Sequence, residues 1–280
     1  MTQHNHTTRR TVLSGIVTGA AVAVSGCLSG SENGGSENGA DGLGDDEIFE
    51  DLFVEGTELV LEFTEDSSVD QVNVIDPNGE AFAEQSIAAG VDRETIEIGT
   101  EYEPGEYDVV ALEDDDEQTT QSVTVEPDVR ITDLRLGRNH PDEMFDGASE
   151  REIRSEAILT LENHGTGPEA AIRLAFDGEI PRQTPDEDEY EESGIYDMES
   201  DFSGHADAVV IPAGEEVTLY SQRRPFSSAS ERVDCTPETE YGQFEVTIET
   251  EVSDEVTAET YEVSYTGENL VECDIEIEVT

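Results

Sequence analysis

The sequence contains no lysine and no tryptophan, and its 280 residues include only three cysteines, three methionines and 6% aromatic residues. All thirteen basic residues are therefore arginines, set against 70 acids for a formal net charge of −57. A chain so poor in basic residues lacks the Lys/Arg stripes of nucleic-acid binders, and that class of partner is excluded. Motifs of catalysis are missing too: there is no Gly-x-Ser-x-Gly, no His-Glu-x-x-His and no Gly-rich phosphate loop. Paired carboxylates carry no information among seventy acids. No catalytic residue, no metal and no cofactor are expected, and the chain reads as a non-enzyme.

The excess of acids is the dominant positive feature. Like charges crowded on a small surface repel one another and destabilise a compact state in dilute buffer. At about 1 M salt the Debye length shrinks to roughly 3 Å, and most surface carboxylates no longer feel each other. Arginine as the sole base and acids in such number resemble the proteins of halophilic archaea, which implies a surface adapted to molar salt. Charge with few aromatics also accompanies disorder, but the apolar residues here alternate regularly and argue for a folded body.

All the acids, and all bases except Arg9 and Arg10, lie beyond residue 26. Arg9 and Arg10 precede Thr11 and an uncharged Val/Ala/Gly-rich run to Gly26. That run of about fifteen residues is too short to span a bilayer and ends in small residues, as a signal peptide does. The arginine pair resembles the signal of the twin-arginine pathway, which implies export in the folded state. Val24-Ser25-Gly26-Cys27 resembles a lipobox, which implies lipid on Cys27; a plain signal anchor with an incidental cysteine is the alternative. The Ser-Glu-Asn-Gly repeats after Cys27 form a flexible tether with a reach of about 25 Å. Residues 1–26 are thus assigned to a signal peptide and 27–46 to a lipidated cysteine and tether, placing the protein on the outer face of the cell membrane.

Past the tether, the apolar period is two rather than 3.6. Leu59/Leu61/Phe63, Val72/Val74, Ile96/Ile98, Tyr107/Val109/Ala111 and Val123/Val125 mark strand faces between turn signals such as Asp76-Pro77-Asn78-Gly79. Ile48, Phe49, Leu52 and Phe53 have helical spacing, so 45–53 is expected to form a helical turn. Further strands are expected at 157–163, 170–176, 208–211, 217–220, 244–248, 257–265 and 271–279. Thr100-Glu-Tyr-Glu-Pro-Gly-Glu-Tyr107-Asp-Val109 is echoed by Thr239-Glu-Tyr-Gly-Gln-Phe244-Glu-Val246, where a glycine turn feeds an aromatic-led strand, as at the tyrosine corner of an immunoglobulin-like sandwich. The fold class is all-β: two tandem immunoglobulin-like antiparallel β-sandwiches, over 47–127 and 128–280, the second carrying an acidic insertion at 177–204.

Leu159-Thr-Leu-Glu-Asn163-His-Gly165 and Ile211-Pro-Ala-Gly-Glu-Glu-Val217-Thr-Leu219 resemble the cell-adhesion-related bacterial domain, an immunoglobulin-like family. The resemblance implies an adhesion or spacer module with no catalytic residues; the acidic insertion departs from it.

With Cys27 given to lipid, Cys235 and Cys273 remain an even pair. Cys273 shares a strand face with Val271, Ile275, Ile277 and Val279, and Cys235 lies in the loop before Phe244, so a disulfide is expected outside the cell, worth roughly 3–4 kcal/mol in chain entropy. A metal or redox pair is the alternative. A copper site among His140, Met144, His164, His205 and Cys235 lacks the His soon after Cys that it needs. Asp186 and Asp188 offer calcium-type oxygens without the turn glycine of a calcium loop, so a solvated acidic loop is favoured.

Tyr190, Tyr196 and Phe202 in the insertion, together with Arg223, Arg224 and Phe226, are the candidate partner contacts, since a loop this long usually has a role. A loop folding its aromatics onto its own sandwich, with the arginine pair neutralising the neighbouring acidic loop, is the alternative. The expected function is a lipoprotein binding an envelope protein or glycan, with a ligand-free envelope spacer and a calcium-dependent binder as rivals.

Overall fold

The computed structural model describes residues 48–65, 67–185, 192–198, 204–229, 232–254 and 256–280. Arg9, Arg10, Cys27, the tether, Asp186, Asp188, Tyr190 and Phe202 lie outside the described residues.

Seven strands build the first sandwich: β1 (Phe49–Glu55), β2 (Glu58–Phe63), β3 (Gln71–Ile75), β4 (Ala81–Ser86), β5 (Arg93–Glu97), β6 (Gly105–Glu113) and β7 (Asp116–Val125). They form antiparallel sheets in the orders β1-β2-β5 and β4-β3-β6-β7. Alternation in β6 sends Tyr107, Val109 and Ala111 inward, where they meet Leu59, Leu61, Phe63, Val72 and Val74. The helical turn expected at 45–53 is not formed where it is described: Phe49 begins β1 and its ring packs on Phe63 with centroids 5.5 Å apart. One amphipathic turn does not repay helix nucleation, whereas the edge of β2 supplies ladder hydrogen bonds to β1. Strand β4 was not foreseen, because Ala81–Ser86 has no alternating bulky residues.

The second sandwich contains β8 (Val129–Leu136), β9 (Ala157–Asn163), β10 (Glu169–Gly178), β11 (Val209–Ile211), β12 (Glu216–Tyr220), β13 (Glu240–Thr250), β14 (Val256–Thr266) and β15 (Asp274–Val279). Its sheets run β12-β9-β8 and β11-β10-β13-β14-β15. Each strand of the first sandwich has a counterpart seven places later in the same sheet position, and β15 is an addition at the edge. The echoed segments fall on the corresponding strands β6 and β13. In the first, Tyr107 Oη donates to the Glu103 carbonyl at 2.8 Å, a tyrosine corner. In the second, Phe244 has no hydroxyl and packs between Phe226 and Tyr261.

Between β8 and β9 a short helix, α1 (Glu150–Ser155), starts at a capping box formed by Ser149 and Glu152. The Ser149-x-x-Glu152 spacing was a readable signal for it. Cys235 and Cys273 form a disulfide that ties the loop before β13 to the start of β15. The last strand is shorter than expected: Cys273 and Ile275 are buried, but Val271 and Val279 face solvent.

The sandwiches meet through backbone. Thr166 and Gly167 amides donate to the Glu126 carbonyl at 2.7 and 3.0 Å, and a Cβ at Gly167 would stand 2.2 Å from Tyr102 Oη. Beside them the fully buried Glu169 carboxylate accepts hydrogen bonds from the Ala170, Val252 and Ser253 amides and from Ser253 Oγ.

Candidate functional site

The described parts of the insertion fold back on their own sandwich. Leu174 N donates to Ser193 O at 2.7 Å, and Thr184 exchanges two hydrogen bonds with Phe176, so the insertion covers the edge of β10 that β11 is too short to reach. An uncovered edge invites pairing with another chain. The chain then passes Gly194, whose φ of +75° and 2.5 Å approach of a would-be Cβ to Leu174 O exclude a side chain. Ile195 and Tyr196 bridge to Ser221 and His205. Ile195 is buried, and the Tyr196 ring stacks on Phe145 with centroids 4.1 Å apart.

These contacts deliver His205 and Glu192 to the end of β12, where Gln222, Arg223 and Arg224 turn away from the sheet. Together with Arg182 they line a hollow of about 310 Å³. Arg182 is positioned by its amide, which donates to Pro225 O at 2.9 Å. Arg224 has φ of +58°, a conformation costly for a side chain other than glycine. Its guanidinium Nε lies 3.8 Å from Glu156 Oε1, and that carboxylate is almost wholly buried. Arg224 Nε and Glu156 Oε2 are buried polar atoms without a hydrogen-bond partner. Burial pushes the Glu156 carboxyl up to about 8; the charge of Glu152 adds to this and Arg224 opposes it. Burial likewise lowers the His205 pKa, against the pull of Glu192 at 3.0 Å.

Among the described residues the hollow thus gathers three arginines and a histidine around one glutamate. Guanidinium groups present planar forks that match carboxylate, sulfate or phosphate oxygens in pairs. His205 also faces a neighbouring groove of about 660 Å³ along the sandwich edge, in which Met198 and Val210 are exposed.

Of the candidate contacts, Tyr196, Arg223 and Arg224 are brought to one region. Phe226 is a correction: it is 1% exposed and belongs to the core, because Phe226 N donates to Ser155 O and its ring is driven against Phe244. Arg182 and His205 were missed as partners of the arginine pair, since only the folding of the insertion unites them. Tyr241, 79% exposed on β13, was also passed over as a surface aromatic. Cys235 is committed to the disulfide, and His140, His164 and His205 each face a separate glutamate. Among the described residues no group of three or more His, Cys, Asp or Glu side chains is placed to hold a metal ion, and no helix is long and apolar enough to cross a membrane.

No protein-family model matches the sequence, and no curated protein sequence matches it. Among solved structures, a two-domain fibronectin type-III segment of chicken tenascin is 13% identical, covering 82% of this chain and 98% of its own at a TM-score of 0.28. The BSP domain of a biofilm-associated protein is 9% identical over 73% of this chain and 26% of its own, with a TM-score of 0.24. A family 2 β-glucuronidase is 13% identical over 74% of this chain, with a TM-score of 0.25; this chain spans 18% of its length. These likenesses concern the sandwich fold and add nothing to the topology read from the strands. The chain is an all-β protein of two tandem immunoglobulin-like sandwiches.

Proposed function

We propose that the protein is an exported, non-catalytic surface module, held to the membrane by lipid on Cys27, whose second sandwich binds an anionic group of an envelope protein or glycan. The observation that carries this reading is the convergence of Arg182, Arg223, Arg224 and His205 on one hollow. Guanidinium forks gathered in one concavity match the paired oxygens of a carboxylate, sulfate or phosphate group. The acidic remainder of the surface discourages anions from settling elsewhere and so sharpens selection for this place. The Cys27 lipobox and the segment 27–46 supply the anchor and the reach.

Crosslinking and pull-down from intact cells in molar salt test the reading, using the full chain and an Arg223→Ala/Arg224→Ala variant. The wild type is expected to recover a reproducible partner that the variant loses while keeping its circular dichroism spectrum. Equal recovery by both proteins would move the contact surface away from the hollow. A spacer without a ligand is the second reading, favoured by the closely bonded junction at Tyr102, Gly167 and Glu169, and recovery of no partner would select it.

A further inference from the structure

Acids outnumber arginines more than five to one in this chain, so a surface arginine finds a carboxylate on almost every side. Several use one: Arg93 meets Glu55, Arg130 meets Asp128, Arg135 meets Asp133 and Arg173 meets Glu249. Arg151 and Arg154 do not. Both stand exposed on α1, and neither guanidinium forms an ion pair or donates a hydrogen bond among the described residues. Glu150, one residue before Arg151 and one turn before Arg154, leaves both unpaired.

Behind them Arg138 is fixed by donation to Arg154 O at 2.5 and 3.0 Å, to Cys273 O at 2.9 Å and to Phe226 O at 3.0 Å. The three arginines and Glu150 line a single hollow of about 340 Å³ with Ser227, Ser228 and Val271. Ser227 of this hollow and Arg224 of the hollow at Arg182 and Arg223 are the two ends of one turn, closed by Ser227 N donating to Arg224 O at 3.1 Å.

We infer that this hollow is a second anion site and that it takes an acidic sugar of a glycan chain. The unpaired guanidinium forks suit the two oxygens of a carboxylate or sulfate. Serine hydroxyls suit ring hydroxyls, and Val271, 59% exposed, offers an apolar patch to the C–H face of a sugar ring. A concave volume near 300 Å³ is at the small end for a compact ligand, whereas a protein partner needs a broad patch of about 800 Å². The inference goes beyond the proposed function, since it concerns other residues and names a ligand class. Two hollows flanking one turn let a glycan with repeated charges lie across both.

Isothermal titration calorimetry on the full chain in molar NaCl tests it, with a short sulfated dextran, an oligogalacturonate, uncharged dextran and inorganic sulfate as probes. At least one acidic oligosaccharide is expected to bind, with uncharged dextran silent and inorganic sulfate at least tenfold weaker. Arg151→Ala/Arg154→Ala is expected to weaken that binding tenfold or more, while Arg130→Ala, an exposed arginine paired with Asp128, binds as wild type. Binding of neither oligosaccharide, or unchanged binding by the Arg151/Arg154 variant, would overturn the inference. So would inorganic sulfate binding as tightly as the sugar. Loss of binding in the Arg223→Ala/Arg224→Ala variant alone would overturn it and leave the proposed function standing.

Discussion

The Tyr102 phenol of the first sandwich donates a hydrogen bond to the Pro168 carbonyl of the second at 2.9 Å, with the tyrosine 8% exposed. Burial, and then the nearby charge of Glu169, drive the pKa of this phenol upward, so it remains a donor at any ordinary pH. Tyr102→Phe keeps the ring and leaves a buried carbonyl without this donor. The expected loss is about 1–3 kcal/mol, read as a lower thermal midpoint, and small-angle scattering should report a looser pair of sandwiches.

Glu156 gives a pH signature of known sign. Its carboxyl titrates near 4.5 when unfolded and near 8 when folded, so the folded state holds this proton more tightly. The resulting stability is complete below pH 4.5 and is lost as pH rises through 8. Glu156→Gln removes that dependence. Thermal midpoints of variant and wild type should lie close together near pH 4 and separate by pH 9, with the variant more stable by on the order of 5 kcal/mol.

Reduction of the Cys235–Cys273 disulfide, or the double change to serine, should cost roughly 3–4 kcal/mol, the entropy of releasing a closed loop. The effect should be strongest locally. Arg138 donates to the Cys273 carbonyl and β15 begins one residue later, so amide exchange over Asp274–Val279 should accelerate first.

Lowering NaCl from molar to 0.1 M lengthens the Debye length from roughly 3 to roughly 10 Å and exposes the self-repulsion of a chain at −57. A falling thermal midpoint on dilution, reversed by adding salt, is the expected outcome. A flat response would remove salt adaptation as the reason for the composition.

Cys27→Ser should shift the protein from the membrane pellet to the soluble fraction of cells. Full retention in the pellet would assign the anchor to the apolar run before it.

Part of this molecule was legible in its sequence. Strands such as Tyr107-x-Val109-x-Ala111 were readable because alternation alone decides which face is buried. The disulfide came from counting, once one of the three cysteines was set aside. Strand β1 was misread because Ile48, Phe49, Leu52 and Phe53 fit either period over so short a span, and the choice fell to an available partner edge on β2. The Tyr102 and Tyr241 positions look alike in the repeated segments, yet one is buried against Pro168 and the other is 79% exposed. The difference lies in tertiary surroundings: Tyr102 packs against the second sandwich at Pro168, whereas Tyr241 stands on the exposed side of β13.

By itself, then, the sequence determined the β period, the tandem pattern, the surface charge and the cysteine pairing, all of which are properties of local spacing or of composition. Only the tertiary structure decided that Phe226 is core, that Arg182 and His205 join Arg223 and Arg224, and that Arg151 and Arg154 share a hollow with Arg138 while pairing with no acid among the described residues. Those are relations between residues far apart along the chain, and they exist only once the sheets have closed and the loops have been laid over their edges.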